Sequence, residues 1–324
     1  MSITSVYHLL SNIQDNCIIT HDNVRNQIFN DIDFSVFSSI APLWILEGGN
    51  SAESSISKTL FEKFVSNNNN ILTNRLLYYY DFEMLVSALQ DRFSMIESLL
   101  NKFYHKFPAT SKYEMTDFDS FTMSPDSELF AYLNSIFIYL GSSFDIITKI
   151  AFEMQKIKDT DFSTYPRMAS KKTQFGDRRK ISNINIKDTI FEYPVVIKKI
   201  ESIRNRIIHD GSFDFNQYVY TGWIEQKDIF ECCILFPDFD DSGNFTSLKN
   251  RTNFYSHSNR INLLLPSLLK EVLTLISSTI TELNRVYDIS RFSNVDDIKK
   301  YMPVIKNWNI SVVSILKKDL PTQV

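Results

Sequence analysis

Three side chains with the chemistry needed to act on a phosphodiester lie within residues 201–211. Asn205 and His209 are four residues apart, so on a helix they share one face and their side chains can touch. Arg204 directly precedes Asn205, and its long stem can reach the same place. A guanidinium binds phosphate oxygens, and an imidazole exchanges protons near neutral pH. The spacing therefore predicts a cluster that binds a phosphodiester and moves a proton.

A helix must position this cluster, and the surrounding sequence has the pattern of one. Four apolar side chains recur at helical spacing, namely Val196, Ile200, Ile203 and Ile207. Gly211 follows, and glycine is the usual residue just past a helix end. The alternative interpretation is an ordinary helix C-terminus, at which Arg206 and His209 offset the helix dipole.

The most basic stretch of the chain, residues 158–187, lies just upstream of this helix. Its positive charges are interleaved with aromatic residues, a composition that suits contact with a nucleic-acid backbone. The residues expected to bind substrate, together with Arg206, are Lys171, Lys172, Arg178, Arg179 and Lys180. A solvated surface loop is the alternative, because most basic runs have no partner.

Composition predicts a mainly helical protein of the cytoplasm. The 324 residues are 44% hydrophobic, enough for one large domain or two ordinary ones with packed cores. Only 7 glycines and 9 prolines favour long helices with few tight turns. The net charge of −4 restricts any nucleic-acid surface to a local patch. The 3 cysteines, two of them adjacent, indicate a reducing compartment and not a disulfide framework.

No second constellation of catalytic residues stands out in the sequence. It contains no glycine-rich phosphate loop, no His-Glu-x-x-His and no Gly-x-Ser-x-Gly. The remaining histidines have no metal-ligand spacing, so we predict neither a metal nor a cofactor. Residues 238–243 begin like a calcium loop, but Lys249 occupies the position of the closing carboxylate, and we expect a turn there. The apolar stretch 132–152 contains an Asp and a Lys, which favours a buried helix over a membrane span.

Helical periodicity covers most of the chain. Residues 71–107 form one long run, which is either a single helix or two helices separated by a kink. Ser124 and Pro125 are a typical helix start, with serine as the cap and proline as the first helical residue. A long apolar stripe follows, and Asp145 lies beside it, either as a buried partner for Arg204 or solvated at the edge. Pro266 is expected to open the last long helix.

Other segments complete the predicted organisation. Residues 217–236 are rich in β-branched and aromatic residues around a polar break and predict a β-hairpin. A short helix is expected at 295–301, while periodicity leaves 305–316 open between a strand and a helix. We expect an N-terminal helical region at 1–123, a central domain at 124–290 and a C-terminal tail at 291–324.

Residues 204–209, Arg-Asn-Arg-Ile-Ile-His, resemble the Arg-x4–6-His signature of the HEPN superfamily, in which a polar residue usually follows the arginine. The order of elements is similar as well: a long apolar helix, a variable insert, the motif helix and a long closing helix. The resemblance covers residues 124–290. It implies a mainly α, HEPN-like helical bundle with a small β-hairpin insert and an N-terminal helical extension.

The resemblance implies a catalytic role for four residues. His209 would deprotonate the ribose 2′-hydroxyl or protonate the leaving oxygen, and Arg204 would stabilise charge on the phosphate oxygens. Asn205 would orient His209. Asp145 would hold Arg204, as an acidic residue on the preceding helix does in some relatives. Attack by the 2′-hydroxyl requires no metal and predicts cleavage of RNA but not of DNA.

Two classes of function follow from these observations. The first is a metal-independent endoribonuclease, a toxin or anti-phage defence effector, working as a homodimer that brings two motif helices together. The second is a non-catalytic helical module of the same fold that binds RNA or protein. A cognate inhibitor or a sensor protein would be a further partner, and no membrane is expected. A nucleotide-binding or purely structural role is the remaining alternative.

Overall fold

The chain folds into long helices and one small antiparallel sheet in a computed structural model, which describes residues 3–31, 48–50, 52, 56–107, 118–225, 229–288, 303–304 and 306–308. The helices are α1 (Thr4–Ile28), α2 (Lys58–Asn67), α3 (Ile71–Lys106), α4 (Ser127–Lys156), α5 (Val195–Asp210) and α6 (Ile261–Val286). The strands are β1 (Ser120–Pro125), β2 (Tyr218–Ile224) and β3 (Ile229–Cys233). Between α4 and α5 the chain makes 3₁₀ turns at Ile157–Asp159, Ala169–Lys172, Phe175–Lys180 and Ile190–Glu192.

The predicted mainly helical class is confirmed. The predicted tail elements at 295–301 and 305–316 lie outside the described residues, except for 306–308.

The chain divides into two compact units, each made of three separate stretches. Unit 1 comprises Met1–Ile18, Ala88–Thr148 and Gln174–Leu283. Unit 2 comprises Ile19–Ser87, Lys149–Thr173 and Asn284–Val324. The regions expected from the sequence are consecutive, whereas the residues of α1, α3, α4 and α6 are divided between the two units. Arg204, His209 and Asp145 all belong to unit 1.

The long periodic run is a single helix, α3, which extends from Ile71 to Lys106. The predicted start of the last long helix is wrong, because α6 begins at Ile261 and Pro266 lies inside it. Proline has no N–H to donate to the carbonyl four residues earlier, which belongs to Asn262. The hydroxyl of Tyr104 donates to that carbonyl at 3.3 Å. A side chain from α3 thus provides the donor that the proline lacks.

The predicted helix start at Ser124 and Pro125 is also wrong, because both residues belong to β1. The helix α4 begins two residues later, where a side-chain oxygen of Asp126 accepts the N–H of Leu129 at 3.1 Å. Asp126 therefore caps the helix in the way expected of a short acidic side chain.

The predicted hairpin is confirmed as β2 and β3, which pair antiparallel, with Tyr220 opposite Cys233 and Ile224 opposite Ile229. A third strand, β1, pairs antiparallel with β2 and was not expected. All six β1 residues are exposed, so the strand lacks the alternation of buried side chains that would reveal it in the sequence. The turn expected at 238–243 is present, with the N–H of Gly243 donating to the carbonyl of Asp240 at 3.0 Å.

The core of unit 1 includes the apolar faces of α4, α5 and α6. Its buried side chains include Leu133, Ile136, Phe137, Leu140 and Phe144 of α4; Val196, Ile200, Ile203 and Ile207 of α5; and Leu265, Leu269, Val272 and Ile276 of α6. Each such side chain contributes about 1.5–3 kcal/mol when fully buried. Two contacts show how α5 lies on α4. Early in α4, Asn134 bonds the hydroxyl of Ser212, just after the end of α5, at 3.1 Å; later in α4, Gly141 lies against Arg204 within α5. The two helices therefore run in opposite directions.

Two helical stretches, Ser127–Asp159 and Ile261–Val286, are long and apolar enough to cross a membrane by length and composition. Their most apolar windows are 56% and 44% buried within the protein. Because the core helix of a globular protein meets the same criteria, these helices are weak grounds for a membrane protein.

Candidate functional site

The helix expected to carry the phosphodiester cluster is α5. Its apolar residues face the core, and Pro194 precedes its first turn. Gly211 ends it in the left-handed conformation, with φ of 87° and its N–H bonded to the carbonyl of Ile207 at 2.9 Å. Only glycine adopts this conformation without steric cost, so the helix ends where the sequence predicts.

Arg204 contacts α4 at two points, its stem and one terminal nitrogen. A Cβ placed on Gly141 would lie 2.4 Å from the Cδ of Arg204, so the stem of the arginine crosses α4 at the one residue without a side chain there. The Nη2 of Arg204 donates to the Oδ2 of Asp145 at 3.0 Å. The N–H of Phe175 donates to the other oxygen of that carboxylate at 2.8 Å. Of the two alternatives for Asp145, the contact with Arg204 is the one present.

The guanidinium of Arg204 keeps most of its hydrogen-bonding capacity. It has five N–H donors, and the bond to Asp145 is its one hydrogen bond to the described residues. Its Nε is buried without a partner among these residues, so the donors left for a ligand are those of the terminal nitrogens. The side chain remains 28% exposed and that of Asp145 remains 21% exposed. An arginine held in this way presents a fixed positive charge with unused donors at the protein surface.

His209 and Asn205 lie on the exposed side of α5. Within the described part of the chain neither side chain forms a hydrogen bond, so the predicted contact in which Asn205 orients His209 is not formed. On a regular helix Arg204 and His209 are separated by about 140° around the axis and about 7.5 Å along it. Arg204 therefore extends towards α4, whereas His209 extends towards solvent one and a half turns later.

The surroundings of Arg206 do not suit its predicted role in substrate binding. Its side chain is buried, with the guanidinium carbon 3.3 Å from the centre of the Phe245 ring. Its two terminal nitrogens donate to the side chain of Asn253 at 3.0 Å and to the carbonyl of Thr252 at 3.3 Å. Burial lowers the pKa of Arg206 from its ordinary value. These contacts use the guanidinium to pack residues 245–253 on α5, and the residue has little capacity left for a ligand.

The basic loop is divided between the two units. Lys171 and Lys172 are exposed on the 3₁₀ turn Ala169–Lys172 of unit 2. Arg178, Arg179 and Lys180 lie on the turn Phe175–Lys180 of unit 1, whose first N–H bonds Asp145. The structure thus brings the second group, but not the first, into direct connection with the carboxylate that holds Arg204.

The three cations of the second group have different surroundings. Lys180 pairs with Asp177 at 2.8 Å. The hydrogen bond from Lys180, followed by that from the N–H of Gln174, lowers the pKa of Asp177 below its ordinary value. Arg179 is exposed, with no hydrogen bond or ion pair to the described residues. Arg178 is half-buried and lies over the ring of Tyr193.

Sequence reasoning assigned no role to Gly141, which lies against Arg204, or to Tyr193 and Glu201, which bond each other beside Arg178. Tyr193 has a left-handed backbone with φ of 63°, which is uncommon for a residue other than glycine. Burial, followed by the hydrogen bond to Glu201, raises the pKa of Tyr193 to about 12. The sequence gives no signal for this conformation, and Gly141 stands out only as the single glycine of α4.

Among the described residues, no three of the His, Cys, Asp and Glu side chains are grouped to hold a metal ion. No family model, no curated protein and no solved structure matches the chain.

Proposed function

We propose that the protein is a metal-independent endoribonuclease with a HEPN-like domain at residues 124–290. The observation that supports this most is the fixed guanidinium of Arg204, held by Asp145 and Gly141 with donors left unused. His209 follows on the same helix as an exposed imidazole. A clamp for phosphate oxygens and a group that exchanges protons are the two components that RNA cleavage by internal attack requires.

In the proposed reaction the ribose 2′-oxygen attacks the adjacent phosphorus. The 2′-hydroxyl loses a proton and the departing 5′-oxygen gains one; His209 carries out one of these two transfers and water the other, while Arg204 stabilises the charge on the non-bridging oxygens. The P–O5′ bond breaks as the P–O2′ bond forms. The products are a 2′,3′-cyclic phosphate and a 5′-hydroxyl, and no external nucleophile or metal ion takes part.

We propose that two chains combine their sites. The angular separation of Arg204 and His209 on α5 favours an arrangement in which each phosphodiester contacts the arginine of one protomer and the histidine of its partner. Ile208 directly precedes His209, lies one turn after Asn205 on α5 and is 54% exposed. An apolar side chain in that position suits a twofold contact between α5 helices. Within unit 1, Arg179 and Lys180 would contact RNA phosphates. Lys171 and Lys172 belong to unit 2, and their proposed role in binding RNA is separate from this site.

The test is RNA cleavage by the purified protein in excess EDTA. We expect wild type to cleave single-stranded RNA and His209→Ala to lose at least about 10³-fold in rate, the upper part of what an acid–base group contributes. His257→Ala is the matched control, because His257 is also exposed in unit 1 and lies outside the proposed site. If wild type and His209→Ala cleave at the same rate, the proposal is wrong.

A role in defence or as a toxin would follow from uncontrolled cleavage of cellular RNA. Expression of wild type should arrest bacterial growth, and expression of His209→Ala at the same level should not. Equal growth with both proteins, together with active enzyme in vitro, would point to a cognate inhibitor or to a sensor that controls activity.

One observation favours the second candidate, a non-catalytic RNA- or protein-binding module. A catalytic base is usually oriented by a third group, yet His209 has no hydrogen-bond partner within the described residues. The second candidate predicts RNA binding without strand cleavage, unchanged by His209→Ala. The EDTA experiment, combined with a binding measurement, separates the two.

A further inference from the structure

Arg178 forms a planar cationic surface supported by an aromatic ring. Its guanidinium carbon lies 3.7 Å from the centre of the Tyr193 ring, the separation of a close cation–π stack. Its one hydrogen bond to the described residues is a long contact of 3.4 Å from Nη1 to the carbonyl of Phe175. The side chain is half-buried, so it is partly accessible to solvent.

The second aromatic ring near Arg178 lies to its side. The guanidinium carbon is 5.0 Å from the centre of the Phe175 ring, and the two ring centres are 6.0 Å apart. With the 3.7 Å separation from Tyr193, these distances form a triangle with nearly a right angle at the guanidinium carbon. Phe175 therefore does not cover the face of the guanidinium opposite Tyr193. Within the described residues, no other ring lies on that face.

Both rings beside Arg178 have contacts that hold them in place. Tyr193 lies in the left-handed region immediately before Pro194, and its hydroxyl bonds Glu201 on α5. Phe175 is buried, and its ring packs 5.3 Å from that of Phe144 in the core of unit 1. The stacked pair is thus held from α5 on one side and from α4 on the other.

The same contacts connect the stacked pair to Arg204. The N–H of Phe175 bonds the carboxylate of Asp145, which accepts from Arg204. Glu201 precedes Arg204 by three residues on α5, so it lies within one helical turn. A circuit of contacts therefore runs from Arg204 through α4 and the basic loop and returns to the same helix.

We propose that the outer face of the Arg178 guanidinium, supported by Tyr193, stacks on a nucleobase of single-stranded RNA whose backbone is bound at Arg204. This inference rests on RNA binding in the proposed function and assigns Arg178 to a base and not to a phosphate. Arginine planes stack on unpaired bases, and such contacts tolerate any base because each has a π face. The RNA must be unpaired there, since a base within a duplex exposes no face.

The test measures binding of a 2′-O-methyl oligoribonucleotide, which cannot be cleaved by 2′-hydroxyl attack. A series in which an abasic site replaces each nucleotide in turn identifies the base that matters. At one position, we expect the abasic site to weaken binding to wild type about tenfold. Arg178→Lys should abolish that difference, because an ammonium keeps the charge but has no plane to stack. Arg251→Lys, an exposed arginine of unit 1 outside the site, should retain it.

A second measurement uses unaltered protein. With 2-aminopurine at the sensitive position, binding to wild type should quench the fluorescence, whereas the same probe two nucleotides away should be unaffected. Tyr193→Phe keeps the ring beneath Arg178, and the weaker binding of the abasic oligonucleotide should survive in this variant. If every abasic oligonucleotide binds as tightly as the parent, or if Arg178→Lys keeps the difference, this inference is wrong while the nuclease proposal stands. If wild type binds no RNA at all, both are wrong.

Discussion

Two carboxylates of the helix α4, Asp145 in unit 1 and Glu153 in unit 2, are held by similar contacts. Each accepts a backbone N–H from the segment that follows the helix and one donor from a side chain of another helix. For Asp145 the donors are the N–H of Phe175 at 2.8 Å and the guanidinium of Arg204 at 3.0 Å. Glu153 accepts the N–H of Ser170 at 2.5 Å and the hydroxyl of Tyr78 at 2.5 Å.

The two pairs differ in charge and in access to solvent. Glu153 is 1% exposed, and burial and the neighbouring carboxylate raise the pKa of Tyr78, so the phenol keeps its proton and donates. Asp145 instead holds a charged partner that is open to solvent. The buried carboxylate with neutral donors fixes the chain, whereas Asp145 holds a partly exposed guanidinium, as the proposed function requires.

Glu153→Ala should give the largest effect, and it should act on stability. It leaves the hydroxyl of Tyr78 and the N–H of Ser170 without their acceptor, and each buried unsatisfied donor costs about 1–3 kcal/mol. We expect the free energy of unfolding, measured in urea, to fall by about 4 kcal/mol. Glu153→Gln, which retains one acceptor oxygen, should lose about half as much. A loss of less than about 1 kcal/mol for the alanine variant would contradict the structural role.

Asp145→Ala should act on catalysis instead. It frees the guanidinium of Arg204 from the position that the carboxylate fixes, and misplacement of a catalytic group by about 1 Å can cost 10²-fold in rate. We expect RNA cleavage to fall about 10²-fold and the free energy of unfolding to fall by only about 1 kcal/mol, since both partners reach water. A variant that loses stability but cleaves normally would reverse the assignment of the two carboxylates.

Gly141→Ala tests the same position from the other side of Arg204. The added methyl group would lie 2.4 Å from Cδ and 3.1 Å from Cγ of Arg204, so the stem must move. Alanine also favours the helix by about 1 kcal/mol, so stability should change little. We expect cleavage to fall about tenfold. Ser142→Ala on the neighbouring position of α4 is the control and should cleave as wild type does; equal rates for both variants would show that the stem is not confined.

A third carboxylate, Asp81 of unit 2, gives the smallest expected effect. Burial raises the pKa of Asp81, and the hydroxyl of Tyr165 that donates to it offsets only part of the shift. A carboxyl with a raised pKa in the folded state contributes stability that is present at low pH and is lost as the pH rises through that pKa. Asp81→Asn, which stays neutral, should therefore raise the free energy of unfolding at neutral pH by less than about 1 kcal/mol.

The same variant should have no effect at a pH of about 3, where the carboxyl is protonated in both states. Urea unfolding at the two pH values measures the difference. A loss of stability for Asp81→Asn at neutral pH would show that the ionised form is favoured in the folded protein.

Local pattern was enough to predict the helix α5, its end at Gly211 and the two strands of the hairpin. These features depend on periodicity and on glycine, which are properties of neighbouring residues. The strand β1 was missed because it is defined by pairing with β2, almost a hundred residues later, and buries none of its side chains. Pro266 was misplaced because the donor that replaces its missing N–H comes from Tyr104 in α3.

The candidate site shows the same limit. The contact of Asp145 with Arg204 was one of two alternatives. The sequence shows that Asp145 lies beside the apolar face of a helix, but it does not show which residue packs against it. Arg206 and Arg178 were both expected to bind substrate as basic residues. Their surroundings depend on rings distant in sequence, Phe245 for the first and Tyr193 for the second.

The most direct test of the nuclease proposal is the cleavage of an RNA in which a single nucleotide lacks its 2′-hydroxyl. Sites cleaved by wild type in EDTA are first mapped, and the nucleotide on the 5′ side of one such bond is replaced by its 2′-deoxy form. We predict that cleavage stops at that bond alone, that the other bonds yield 2′,3′-cyclic phosphate ends, and that His209→Ala and Arg204→Ala cleave none of them. Continued cleavage at the deoxy position, or ends without a cyclic phosphate, would contradict attack by the 2′-hydroxyl at Arg204 and His209.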